Sequence, residues 1–182
     1  MNELIRFARP DEVPFLCNSI ASLELWQQLA ISSEVLQFAC NNDPDRVISV
    51  AESAGKIRGC IMFRPERALN FLCERVFRNG ILYPADGGDC IHPRELPDGA
   101  YVNMLAVFPG NQGTGIGAKL LDAAEQLSAS HSDRMYLCVS KINPRGRSFY
   151  ERQGYTFTAE ARDCVKKDNV EHLMSKPLGS KG

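Results

Sequence analysis

This 182-residue chain has no excess of either charge, no Cys-x-x-Cys pair, no long apolar run, and no internal repeat or low-complexity tract. Each absence excludes something. Its 21 Lys and Arg against 22 Asp and Glu leave a net charge of −1, so no cationic surplus drives binding to a nucleic-acid backbone or an anionic membrane. Seven cysteines (17, 40, 60, 73, 90, 138 and 164) are an odd number without paired spacing, which fits neither a disulfide framework nor a zinc ribbon and points to a reducing compartment. No stretch of about 18 uncharged apolar residues occurs, and the charged start MNELIRFARPDE lacks an apolar core, so neither a membrane span nor a signal peptide is expected. A cytoplasmic protein with no membrane or nucleic-acid partner is the expectation.

What is present is ordinary globular composition, 44% hydrophobic and 24% charged, at a length that suits one domain with a sizeable core. The balanced charge hides an asymmetry: residues 1–98 carry a net −4 and residues 99–182 a net +3. One half suits a cationic ligand and the other an anionic one.

The periodicity predicts a strand over 4–7, then interrupted helix from Pro10 to about residue 41 with acids in its first turn. Residues 47–51 and 57–63 read as a hairpin about Ser53-Ala54-Gly55-Lys56. Leu69, Leu72, Cys73 and Val76 share a face if 68–77 is helical, and a Gly/Pro/Asp-rich loop follows from Asn79 to Gly99. Residues 64–99 are therefore read as an insertion in a single domain spanning 1–182, since neither side has a complete core alone. A strand over 101–108, a helix carrying Ile116, Leu120, Ala124 and Leu127, and a strand over 135–139 come next. Asn143-Pro144 then opens a short helix that Gly154 ends, and two strands over 155–161 and 170–175 close the chain. The fold class is a mixed α/β sheet flanked by helices.

The segment Gln112-Gly113-Thr114-Gly115-Ile116-Gly117 lies between strand and helix. Glycines at 113, 115 and 117 permit positive φ and close approach of a ligand to backbone N–H groups. The helix that follows offers unsatisfied N–H groups and its positive dipole end, so the turn suits a pyrophosphate. A Walker A loop fails because Ile116 stands where Lys is needed. Gly113, Gly115 and Ala118 formally meet the dinucleotide fingerprint, but four residues separate the strand from the first glycine and too little chain follows to complete that fold.

Val107-Phe108-Pro109 with Gln112-Gly113-Thr114-Gly115-Ile116-Gly117 resembles the Q/R-x-x-G-x-G/A motif of the GNAT acyltransferases, which bind acyl-coenzyme A. Asn143 and Tyr150, in NPRGRSFYERQGY, resemble that family's second signature. The resemblance covers nearly the whole chain; residues 64–99 have no clear counterpart. It implies a mostly antiparallel central sheet whose middle strands, 101–108 and 134–140, splay apart. It also implies that backbone groups of Leu105, Ala106 and Val107 pair with the pantetheine arm and that N–H groups of 112–117 hold the pyrophosphate. An N–H near Leu105 would polarise the thioester carbonyl, Tyr150 would protonate the departing thiolate, and Asn143 and Arg145, with Lys141 and Arg147, would face the coenzyme.

In this alignment the positions that carry a glutamate in some members are Tyr101 and Cys138, so no carboxylate base is supplied there. Asn103, on the same strand face as Tyr101 and Leu105, can order a water but is no strong base. His92, Glu95 and Asp98 are other base candidates. Cys138 has no nearby histidine in sequence and reads as a structural thiol. Asp89, Cys90 and His92 offer adjacent metal ligands without a second pair, and no metal is expected.

The implied activity is an N-acetyltransferase that uses acetyl-CoA as co-substrate and a small-molecule or peptide amine as acceptor, by direct attack in a ternary complex. A homodimer is compatible with this. The alternatives are a non-catalytic acyl-CoA sensor or protein-binding module, and a dinucleotide-binding protein.

Overall fold

The computed structural model describes residues 3–66, 75–78, 81–84, 96–162 and 168–179. Local chemistry accounts for most element boundaries. Strand β1 (Leu4–Phe7) is followed by a 3-10 turn (Pro10–Glu12) and three short helices, α1 (Val13–Ala21), α2 (Glu24–Gln28) and α3 (Ser33–Asn41). Ser32 caps α3, its hydroxyl accepting the Val35 N–H at 3.4 Å. Strands β2 (Val47–Ser53) and β3 (Lys56–Arg64) pair antiparallel through Val47↔Phe63 to Ser53↔Lys56. Ala54 and Gly55 turn between them with φ of 51° and 69°, the left-handed pair that matches strand twist in a two-residue hairpin.

Strands β4 (Arg75–Arg78) and β5 (Ile81–Pro84) pair antiparallel, and β5 lies parallel to β8 (Thr156–Arg162) through Ile81↔Glu160 and Leu82↔Ala161. This overturns the helix expected over 68–77 at its C-terminal end, and the loop expected from Asn79 to Gly99 at residues 81–84. Of the apolar set that suggested a helix only Val76 falls in β4, and β5, bonded to β8, gives Val76 and Phe77 a strand partner. The rest of that helix, and His92, Glu95, Cys90 and Asp89, lie outside the described residues.

Strand β6 (Ala100–Val107), helix α4 (Ile116–Ser128), strand β7 (Arg134–Ser140), helix α5 (Pro144–Arg152), β8 and strand β9 (Val170–Pro177) complete the order, as the sequence pattern predicts. The chain falls into two compact units, Met1–Phe63 with Asn103–Gln126, and Arg64–Val102 with Leu127–Gly182. In the first, the strand order is β1-β2-β3-β6. Leu16, Cys17 and Ile20 of α1 and Leu36 of α3 pack with Val50, Cys60, Met62, Met104 and Ala106. Gly59 is required here by close approach: a Cβ would lie 2.6 Å from the Ala106 carbonyl oxygen on the neighbouring strand.

In the second unit β7, β9 and β8 are neighbours, with β9 antiparallel to both. Ala100↔Met135, Tyr101↔Tyr136 and Val102↔Leu137 are parallel pairs. Tyr101, Tyr136, Ala159, Ala161 and Leu173 form its core. The sheet is mixed and mostly antiparallel, as expected.

Candidate functional site

The first unit carries the glycine turn. Along β6, Met104 and Ala106 are buried in the α1/α3 core, whereas Asn103, Leu105 and Val107 alternate with them and are half-buried. The period of two puts Asn103 and Leu105 on one face, as predicted. Asn103 Oδ1 is itself buried and meets no hydrogen-bond partner among the described residues, which leaves it the cost of a desolvated acceptor.

After β6 the chain turns through Pro109 and Gly110. Asn111 Nδ2 donates to the Phe108 and Pro109 carbonyls at 3.3 and 3.1 Å, the Thr114 hydroxyl to the Asn111 carbonyl at 2.6 Å, and Gln112 Nε2 to the Val107 carbonyl at 3.4 Å. Gly113 and Gly115 have φ of 77° and 87°. A Cβ at either would meet no heavy atom within 4 Å. Backbone conformation, and not crowding by the protein, therefore demands these glycines, and the side a Cβ would take is open to a ligand. The Gly115 carbonyl accepts the Lys119 N–H at 3.1 Å, the first turn of α4. Ile116 is buried under it. Gly117 differs from the expectation: it sits inside α4, where helical geometry needs no positive φ.

The second unit carries the other motif. Asn143 is the N-cap of α5; its Oδ1 accepts the Gly146 N–H at 2.9 Å and its carbonyl the Arg147 N–H at 3.1 Å. Pro144 occupies the first helical position and Gly154, at φ 89°, ends the helix. Tyr150 packs edge-on to Phe149 and Tyr155, with ring centroids 5.1 and 5.9 Å away. Burial raises the Tyr150 phenol above its ordinary value, so it stays a neutral donor across the physiological range.

The basic residues around this helix separate into two kinds. Lys141 pairs with Glu160 at 2.5 Å, and Glu160 also takes Arg162 at 2.6 Å. Those hydrogen bonds hold the Glu160 carboxyl below its usual range. Arg147 pairs with Glu151 at 2.8 Å and approaches His172 Nδ1 at 3.3 Å. Burial, then Arg147 and Lys141, keep His172 below its ordinary value. Arg145 is exposed and has no ion-pair partner among the described residues. Cys138 is half-buried against the core, and Asp98 Oδ1 accepts the Gly99 N–H at 2.7 Å.

Sequence reasoning missed a cavity of about 520 Å³ in the first unit, lined by Arg6, Arg9, Glu12, Phe15, Glu52 and Lys56 among others. Glu12 joins Arg6 through two hydrogen bonds of 2.9 and 2.8 Å and Arg9 through an ion pair of 2.6 Å. Its signal was the acidic residue three positions after Arg9, whose N–H it accepts at 2.8 Å. These charges satisfy one another and make the cavity wall part of the scaffold.

The model of the Acetyltransferase (GNAT) family matches residues 9–155. The chain belongs to that family. A mycothiol acetyltransferase from Beutenbergia cavernae is 42% identical over 65 residues, 34% of this chain and 22% of that protein. The chain thus matches only about a fifth of the length of that curated relative. Among solved structures, the ribosomal-protein-S18-alanine N-acetyltransferase from Escherichia coli superposes with a TM-score of 0.64 at 14% identity, covering 100% of this chain and 97% of that one. An aminoglycoside 6'-N-acetyltransferase complexed with coenzyme A gives 0.65 at 14% identity, covering 98% and 99%. These likenesses establish the GNAT fold.

Among the described residues no helix is long and apolar enough to cross a membrane, and no group of three His, Cys, Asp or Glu side chains is placed to hold a metal ion.

Proposed function

We propose that this GNAT-family chain is an acyl-CoA-dependent N-acetyltransferase that moves an acetyl group from acetyl-CoA to a primary amine. The observation that carries the reading is the turn at Gly113 and Gly115, whose positive φ values face open space and lead into the first turn of α4. Peptide N–H groups and a helix dipole of this kind bind a pyrophosphate without a side-chain charge. The aminoglycoside acetyltransferase of the same fold is complexed with coenzyme A.

The neutral amine nitrogen attacks the thioester carbonyl, the carbonyl oxygen takes the negative charge, and its collapse breaks the C–S bond. An N–H near Leu105 stabilises that oxyanion. The departing sulfur is met by the neutral phenol of Tyr150, and the nitrogen gives up its extra proton. An amine with a pKa near 10.4 costs roughly 4–5 kcal/mol to present unprotonated at pH 7. A water ordered by Asn103, whose Oδ1 is unpartnered among the described residues, is the route assigned to that proton. Leu105, Ala106 and Val107 are assigned to the pantetheine arm, 112–117 to the pyrophosphate, and Asn143 through its Nδ2 and the exposed Arg145 to the rest of the coenzyme. Acceptors are small amines or peptide amines, drawn to the acidic half, and seven cysteines, an odd number without paired spacing in the sequence, suit a reducing cytoplasm. The 64–99 segment shapes the acceptor side, and the whole chain acts as one catalytic domain.

Steady-state thiol release from acetyl-CoA across a panel of polyamines, aminoglycosides, amino-sugar amines and N-terminal peptides tests this. Turnover with at least one class is expected. Binding of coenzyme A, seen as a thermal shift, without turnover on any amine would replace the enzyme with a non-catalytic acyl-CoA binder.

A further inference from the structure

In the first unit, away from the glycine turn, α1 and α3 bring two cysteines together. Cys17 Sγ and Cys40 Sγ are 4.0 Å apart. Cys17 is fully buried, whereas Cys40 is partly exposed. Arg46 Nη1 lies 3.7 Å from Cys40 Sγ, and Asp43 holds that guanidinium at 2.8 Å. Met62 Sδ is 3.6 Å from Cys40 Sγ on the remaining side. Nothing in the acyl transfer proposed above uses these groups.

We infer that Cys17 and Cys40 form a peroxide-oxidisable dithiol, with Cys40 the thiol that reacts first and Cys17 the one that closes the disulfide. The division of labour follows from position. Cys40 is the partly exposed residue of the two and so the more open to a small hydroperoxide, and its sulfur is the one that takes a direct contact from a guanidinium, which stabilises a thiolate. Position at the C-terminal end of α3 opposes an anion, and Arg46 counters it. The hydrogen bond between the two sulfurs raises the Cys17 thiol and lowers that of Cys40, and Arg46 adds to the lowering at Cys40. Cys60 lies behind them, and burial pushes its thiol up to about 12, so it stays protonated and inert.

The Cys40 thiolate attacks one oxygen of hydrogen peroxide. The O–O bond breaks, and the departing hydroxide takes up the proton that Cys40 lost, giving water and a sulfenic acid. Cys17 sulfur then attacks Cys40 sulfur, the S–O bond breaks, and hydroxide leaves with the Cys17 proton as a second water. Two thiols are oxidised by two electrons, and one peroxide is reduced to two waters. The sulfurs approach by about 2 Å to reach a bond of about 2.05 Å. The product ties α1 to α3 across a 24-residue loop, and thiol reductants reverse it.

The test treats the reduced full-length protein with stoichiometric hydrogen peroxide, alkylates the remaining thiols, and maps all seven cysteines by non-reducing peptide mass spectrometry. A Cys17–Cys40 cross-linked peptide is expected, released by dithiothreitol, with a higher melting temperature for the oxidised form. Cys17→Ala should leave a Cys40 sulfenic acid that dimedone traps, Cys40→Ala should leave Cys17 a free thiol, and Arg46→Gln should slow Cys40 oxidation several-fold. Oxidation of other cysteines while Cys17 and Cys40 both remain free thiols in the wild-type protein would overturn the inference, without recourse to any variant. A Cys40 sulfenic acid that persists in the wild-type protein would overturn Cys17's part in it.

Discussion

Asn143 and Gly146 occupy each other's space: the Asn143 side chain lies over Gly146, accepting its N–H at 2.9 Å, and a Cβ on Gly146 would overlap Asn143 Nδ2. The start of α5, and with it the position of Tyr150 on that helix, depends on this pair.

Gly146→Ala should therefore destabilise the protein even though alanine favours a helix by about 1 kcal/mol over glycine. Asn143→Ala should cost about 1 kcal/mol from the lost cap. The double variant should be at least as stable as Asn143→Ala alone, because removing the side chain makes room for the Cβ. Urea unfolding of the four proteins measures the coupling, and simple additivity would contradict the overlap.

Gly115 has φ of 87° and open space beside it. Gly115→Ala should cost about 1–2 kcal/mol in backbone strain and raise KM for acetyl-CoA with little change in kcat. Gly110, at φ 78° and also unobstructed, is the control: Gly110→Ala should carry similar strain while leaving KM nearly unchanged. Calorimetry and initial rates on both variants separate strain from ligand contact.

Tyr150→Phe keeps the ring packing against Phe149 and Tyr155 and removes only the proton donor. A fall in kcat of about 100-fold or more is expected for a lost general acid, with the affinity for acetyl-CoA retained. Equal kcat in the two proteins would assign proton delivery to another group.

Glu12 is held down to about 2 from an ordinary 4.5, chiefly by its hydrogen bonds to Arg6. The unfolded chain therefore binds this proton more readily, so the contribution is fully present above pH 4.5 and is lost as pH falls through about 2. Glu12→Gln should be less stable at pH 7 by about 1–3 kcal/mol, and the gap should close as acid is added. Thermal unfolding from pH 7 down to pH 2 follows this convergence.

Elements with a local chemical cause were legible in the sequence. Strand β6, helix α4 and the turn between them follow from an apolar run, three glycines and a 3.6-residue period, and α5 from Asn143-Pro144 at one end and Gly154 at the other. Residues 75–78 were misread because two adjacent apolar residues between arginines carry no period of their own, and only pairing with β5 decides. That Lys141 and Arg147 are basic and clustered is legible in the sequence; that Glu160 meets Lys141, and Glu151 and His172 meet Arg147, is decided only in the folded chain.

The sequence by itself determined the family and the strand–turn–helix around Gly113 and Gly115, because a glycine turn running into a helix states its conformational needs in consecutive residues. It could not determine which charges are already spent or which cysteines meet. Arg6 and Glu52 are 46 residues apart and Cys17 and Cys40 are 23 apart. Contacts at such separations arise from packing one element on another, and no local preference along the chain encodes them.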